Sequence, residues 1–291
     1  MIYDSGAVVK VTVRFLYLFI MVLVLVNCTT AAKHAPLPQA LTLAFGGKTG
    51  ETSETRYYSN ARILTYQDQQ LLRDRTEGVD FTISSHMTEF NAKENLLKFE
   101  VRTTRKDGTV ELHDLAFPEL SEQIDYVIRS NGEVLQAGRY PPTSLFYVPA
   151  MPIPATPVQI GDTWTMDHIW YSAKEAIPLK LQVVGILKNI VTCEKTKVCA
   201  DVEISGDVNL AVPPNAAGSV WVSRLWGRLL FSLERGDVVW SEMRSHEVMG
   251  VSGEKMDVRS CMVSEMKMNP EYKIKFECDP NQEAVTKTPL Y

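Results

Sequence analysis

Leu97-Lys98-Phe99-Glu100-Val101 alternates apolar and charged side chains and runs on to Lys106-Asp107-Gly108. A period of two puts Leu97, Phe99 and Val101 on one face of an extended segment, and the Asp-Gly step supplies the turn that ends it. The same alternation appears upstream in Phe81-Thr82-Ile83. Further turns are marked by Ser130-Asn131-Gly132 and Arg235-Gly236-Asp237, where asparagine, aspartate and glycine tolerate positive φ. After the first apolar run no segment keeps a helical period over three turns; Leu120 to Ile124 is long enough for one short helical turn. The fold class read from this pattern is mainly β and antiparallel.

A faint internal correspondence extends the reading. Tyr126–Val134 matches Leu230–Val238 in pattern at an offset of 104, and Phe81–Ile83 and Phe99–Val101 match Val184–Ile186 and Val202–Ile204 at 103. The expectation is two related antiparallel β-meander repeats, open or half-barrel sheets, at 56–140 and 161–291. Between them, at 141–160, lie Pro141, Pro142, Pro149, Pro152, Pro154 and Pro157 around Leu145-Phe146-Tyr147-Val148. Proline cannot donate to a ladder, so this reads as a stiff extended connector whose apolar side chains pack on one or both halves.

The start of the chain speaks to location. Lys10 and Arg14 precede the twelve-residue apolar run Phe15–Val26. At about 1.5 Å per residue the run reaches roughly 18 Å, short of the ~30 Å hydrocarbon core, so residues 1–27 read as a signal peptide. Leu25-Val26-Asn27-Cys28 then resembles the lipobox of bacterial lipoproteins, with Asn27 where that family usually has Gly, Ala or Ser. The resemblance implies that Cys28 carries lipid, that residues 28–55 are an anchor and tether, and, from Thr29, outer-membrane sorting. Ordinary cleavage near Ala32 is the alternative. The expected partners are the membrane, through the lipid, and an apolar ligand or an envelope protein.

Four cysteines remain: Cys193, Cys199, Cys261 and Cys278. Three pairings are possible; Val191–Val202 reads as strand, polar turn, strand, which favours Cys193 facing Cys199 across a hairpin, with Cys261 bridged to Cys278. In the chain-entropy model the two bridges stabilise by roughly 2 and about 3 kcal/mol. Zinc is the competing reading, but a C-x2-C pair is missing and an exported chain meets oxidant.

The net charge of −5 becomes −6 once Lys10, Arg14 and Asp4 are removed, which gives no basic face for nucleic acid. His34, His86, His113, His168 and His246 fall in no metal-binding spacing, and neither a nucleophile elbow nor a phosphate loop is present. No catalytic residue, metal or cofactor is assigned, and the chain reads as a non-enzyme. A late cluster (Met243, His246, Met249, Met256, Met262, Met266, Met268) permits a copper(I) reading, with core packing ahead of it. Trp170, Trp221, Trp226 and Trp240 form the speculative ligand site, an aromatic sheet face for a lipid-like molecule.

Pro157-Val158-Gln159-Ile160-Gly161-Asp162-Thr163-Trp164 is similar to the opening of the second repeat in a group of bacterial secreted β-rich proteins carrying Val-x-x-Gly-Asp-[Ser/Thr]-Trp. That resemblance implies architecture and no particular activity; physically, Gly161-Asp162 turns the chain and Trp164 buries a ring. The leading expectation is a cell-envelope binding or interaction module. A lipid carrier is second, and an envelope-polymer hydrolase, needing two carboxylates across a cleft, is third.

Overall fold

A computed structural model describes residues 40–172, 177–193, 197–211, 220–251, 253–267 and 278–281. The expected signal peptide, Cys28, His34 and Met268 lie outside the described residues. The strands are β1 (Thr52–Gln67), β2 (Gln70–Asn91), β3 (Leu96–Gly108), β4 (Gln123–Arg129), β5 (Val134–Ala137), β6 (Thr163–Tyr171), β7 (Pro178–Cys193), β8 (Lys197–Leu210), β9 (Val220–Ser232), β10 (Asp237–Val251) and β11 (Glu254–Met266). They form one eleven-stranded sheet in the order β5-β4-β3-β2-β1-β11-β10-β9-β8-β7-β6. Every neighbouring pair is antiparallel.

The order follows from short turns. Asp68 and Gln69, with φ of 47° and 70°, make the two-residue turn between β1 and β2. Hairpins then carry the chain outward to β5 at one edge, and residues 138–162 lead to β6 at the other. From β6 the strands step back until β11 pairs with β1, in register from Thr55↔Met266 to Gln67↔Glu254. The first and last strands therefore join in the middle of the sheet.

Cross-strand partners share a face, so the register sorts the side chains. One face, called inner here, holds Leu181, Val183, Val202, Ile204, Leu229 and Phe231 from β7, β8 and β9. The opposite face carries ion pairs, including Arg56–Asp80, Arg62–Asp74 and Arg228–Asp201. Over β2 and β3 the inner face is closed by a 3-10 turn at Leu112–Leu115, whose Leu112 is fully buried with Val79 and Phe81.

Residues 41–55 depart from the expected tether. β1 already begins at Thr52, and Leu41, Leu43 and Phe45 point alternately into the inner core. Each such burial is worth roughly 2 kcal/mol, enough to fix the segment as a strap. Leu41 and Val158 exchange two backbone hydrogen bonds of 2.8 Å. Further along, the Phe45 amide donates to Ser130 O at 2.7 Å and the Gly46 amide to Gly236 O at 3.0 Å. The short helical turn also lies elsewhere than Leu120 to Ile124, at Leu112–Leu115, with a second at Leu145–Tyr147.

Cys193 is joined to Cys199 and Cys261 to Cys278, with Cα separations of 5.8 and 6.0 Å. The first bridge closes the β7–β8 hairpin; the second ties a C-terminal residue to β11. All four sulfurs are thus consumed, which removes the zinc reading. Two disulfides belong to an oxidising compartment, in keeping with export. The Gly-Asp-Thr-Trp motif forms a turn in which Asp162 Oδ2 accepts from the Gln159 amide at 2.8 Å. Trp164 then lies against Gly185, its cross-strand partner, where a Cβ would come within 2.7 Å of the indole.

Candidate functional site

The four candidate tryptophans do not converge. Trp170 and Trp221 sit in the inner core, and the Trp221 indole donates to Val208 O at 2.8 Å. Trp240 is 2% exposed and packs with Leu230 against the Cys193–Cys199 bridge on the opposite face. Trp226 shares that outer side with Arg224, Ser205 and Asp207 along a shallow groove. Strand parity separates them: Trp221 and Trp226 are five residues apart on β9 and so face opposite ways. The chain's own Leu41, Leu43 and Phe45 are buried in the same core cluster as Trp170.

The methionine cluster divides as well. Met243 stands opposite Met262, and Met249 opposite Met256, all four on the inner face and half-buried. His246 is on the other face, its Nε2 3.1 Å from Asp257 Oδ1. The copper reading therefore lacks its imidazole. No cluster of His, Cys, Asp or Glu suited to a metal occurs among the described residues.

The most developed polar arrangement surrounds Glu122, in a cleft of about 850 Å³. Ala116, in the left-handed region at φ 61°, turns the chain back after Leu112–Leu115, and buried Leu112 holds His113 at the cleft. On the far side, Gly138 (φ 49°) ends β5 and delivers Arg139 and Tyr140. A side chain at Gly138 would meet Ile124 at 3.3 Å, so glycine serves both the turn and the fit.

Glu122 is the hub. Its Oε2 lies 2.5 Å from His113 Nε2, and its Oε1 accepts from the Tyr140 hydroxyl at 2.7 Å. The Glu119 amide donates to Oε2 at 3.3 Å, and Arg139 Nη2 lies 3.4 Å from Oε1. Tyr140 stacks on Phe146 with centroids 3.8 Å apart, and His113 meets both rings edge-on. Nearby, Glu119 accepts from Lys106 Nζ at 2.8 Å and from the Leu112 amide at 2.5 Å.

Burial alone would raise the Glu122 carboxyl, but hydrogen bonds from His113, Tyr140 and the Glu119 amide outweigh it and hold the group below the usual carboxylate range. Glu119 is held low in the same way: Lys106 and the Leu112 amide overcome desolvation. Tyr140 moves up to about 12, through burial and then the adjoining carboxylate. The cleft thus presents two ionised carboxylates with locked orientation. Fixed donors and acceptors beside a stacked aromatic pair suit the binding of a polar molecule.

His113, Glu122 and Tyr140 were not candidates in the sequence. His113 lies in the 3-10 turn and the other two in the connections around β4 and β5, 9 and 18 residues apart, and no spacing rule links them.

No protein-family model matches the chain, and no curated protein matches it. Among solved structures it is similar to the crystal structure of Ail, the attachment invasion locus protein of Yersinia pestis. That likeness is at 11% identity and a TM-score of 0.15, covering 75% of this chain and 99% of Ail, a superposition too loose to bear on function.

Proposed function

We propose that this chain is a non-enzymatic binding module of the bacterial envelope, exported and lipid-anchored at Cys28, with the Glu122 cleft as its recognition site. One observation carries the reading: the strap Leu41–Phe45 packs into the core of the apolar inner face, whereas the cleft is open and its hydrogen-bonding groups are already oriented. Glu119, Glu122 and Asp125 line the cleft, so a hydroxyl-rich or amine-bearing envelope component fits its chemistry. The test is calorimetric titration with amino sugars and polyamines. Binding that falls at least tenfold in Glu122→Gln supports the reading, and a wild-type protein inert to the whole panel overturns it.

The single sheet is proposed to combine two related meanders, β1–β5 and β6–β10, with β11 added and residues 141–160 as connector. In support, the turn glycines Gly132 and Gly236 are 104 residues apart, both have positive φ, and both lie against the strap at Phe45 and Gly46.

Carriage of a lipid-like ligand is the second reading, favoured by the four half-buried inner methionines. Trp221 stands opposite Met249, so a lipid there would quench its fluorescence. Insensitivity of that emission to a panel of phospholipids and fatty acids would dismiss it.

A further inference from the structure

The two edge strands of the sheet line one cleft. With eleven strands and every pair antiparallel, the edge strands β5 and β6 run in the same direction. They cannot continue the antiparallel pattern with each other, but a single strand of opposite direction is antiparallel to both. Val134 and Leu135 of β5 and Thr165 to His168 of β6 line a common cleft of about 540 Å³, with Pro142, Tyr147, Pro149 and Ile153 as its floor.

Hydrogen bonding shows which groups of β6 face outward. The Ser172 amide donates to Ile177 O and the Leu187 amide to Asp162 O, so even-numbered residues exchange bonds on the β7 side. The Tyr171 amide, by contrast, turns to Thr143 O of the connector at 2.7 Å. Odd-numbered Thr163, Thr165, Asp167 and Ile169 therefore direct their N–H and C=O groups to the edge, where β6 has no strand neighbour among the described residues.

Long edge strands are ordinarily blunted by lysine, proline or a bulge. The nine residues of β6 contain no lysine and no proline, and their pairing with β7 shows no register shift. Ile169 is 52% exposed and Leu135 40%. On the inner side of β6, His168 Nε2 is shut off from solvent with no hydrogen-bond partner. The charged lining groups are acidic, Asp167 and Glu133, the latter paired with Arg129.

We propose that this cleft accepts an extended peptide strand of a partner protein, paired along β6 and reaching β5, with basic residues alternating with apolar or hydroxyl-bearing ones. Residues opposite Asp167 on its face carry the Lys or Arg. Residues on the other face meet Met166. Strand addition of this kind takes its affinity from main-chain hydrogen bonds and its selectivity from the alternating side chains.

The experiment uses the folded protein and fluorescein-labelled octapeptides of alternating Val/Thr and Lys, with a Glu-for-Lys peptide as control. Binding is read by anisotropy, and edge pairing by hydrogen exchange at Thr165, Asp167 and Ile169. Preference for the Lys peptide, slowed exchange at those amides, and loss of at least tenfold in affinity in Thr165→Pro support the proposal. Thr165→Pro removes an edge donor and spares the β7 ladder, while Thr165→Val keeps the donor and should bind like wild type. Asp167→Lys should reverse the charge preference. Equal affinity of the proline and valine variants, or unchanged exchange at millimolar peptide, overturns it. So does concentration-dependent dimerisation that protects the same amides without peptide, which would make a second copy the occupant.

Discussion

The ring of Phe45 meets that of Phe231 edge-on, with centroids 5.7 Å apart and planes at 78°, and so pins the strap before β1 onto β9. The strap lies between the turns at Gly132 and Gly236. Phe45→Ala should therefore destabilise the fold by about 3–4 kcal/mol, the range for an aromatic ring lost from a core. Urea unfolding followed by tryptophan emission measures it; a loss below about 1 kcal/mol would mean the strap contributes little.

The Cys261–Cys278 bridge covers a buried charge pair. Cys261 stands opposite Arg244 in register, and Arg244 donates to Glu242 Oε1 at 3.0 and 2.7 Å and to Asp279 O at 2.7 Å. Both charged side chains are 1% exposed. Replacing Cys261 and Cys278 by serine should cost about 3 kcal/mol, because it frees the chain that helps to keep this pair dry. The Cys193–Cys199 pair, closing a shorter loop, should cost about 2 kcal/mol. Thiol titration of the denatured, unreduced chain from Leu41 onward should find no free sulfhydryl.

Three acids lie on the unfavourable side of burial: Glu247, Glu265 and Asp237. Desolvation pushes Glu265 up to about 7, against the pull of Arg56, and Asp237 up to about 6. A folded-state value above the unfolded one means that the native state binds the extra proton, so stability declines as pH rises from about 4 to 7 and is flat beyond. Glu265→Gln should raise stability at pH 8 by up to about 2 kcal/mol and flatten the curve between pH 4.5 and 7. Denaturant midpoints across pH 4.5–8 measure it; an unchanged slope would show that Glu265 ionises freely.

Glu122 carries the opposite sign. Its folded-state value is depressed, so its contribution is complete above the ordinary glutamate value of about 4.3 and is lost as pH falls below it. Glu122→Gln should lower stability at pH 7 by about 1–2 kcal/mol, with the difference from wild type shrinking as the pH falls below the ordinary glutamate value. Tyr140→Phe should produce a smaller loss of the same kind, since it removes one donor to Glu122. A gap that persists unchanged at pH 3 would mean that the charge is not what Glu122 supplies.

Much of the fold was present in short-range pattern. Period two in Leu97–Val101, the Gly and Asn turns and the hairpin around Cys193 are settled by neighbours a few residues apart, because side-chain alternation and turn geometry are local properties. Sequence alone therefore determined an antiparallel β protein punctuated at Gly132 and Gly236. The expected turn at Lys106-Asp107-Gly108 is instead the paired end of β3, opposite Val79, Asp80 and Phe81, and the chain bends only at Thr109 and Val110. Sequence did not determine that β1 pairs with β11 or that Leu41–Phe45 is a core strap instead of a spacer; that Trp221 and Trp226 face opposite ways follows from their odd spacing on one strand. Nor did it join His113, Glu122 and Tyr140, or bring β5 and β6 to one cleft. Those relations depend on which distant strands share a ladder and on what shields each face from water. Backbone pairing is nearly indifferent to side-chain identity, so that choice rests on the summed burial of the whole sheet, a quantity that only the tertiary structure fixes.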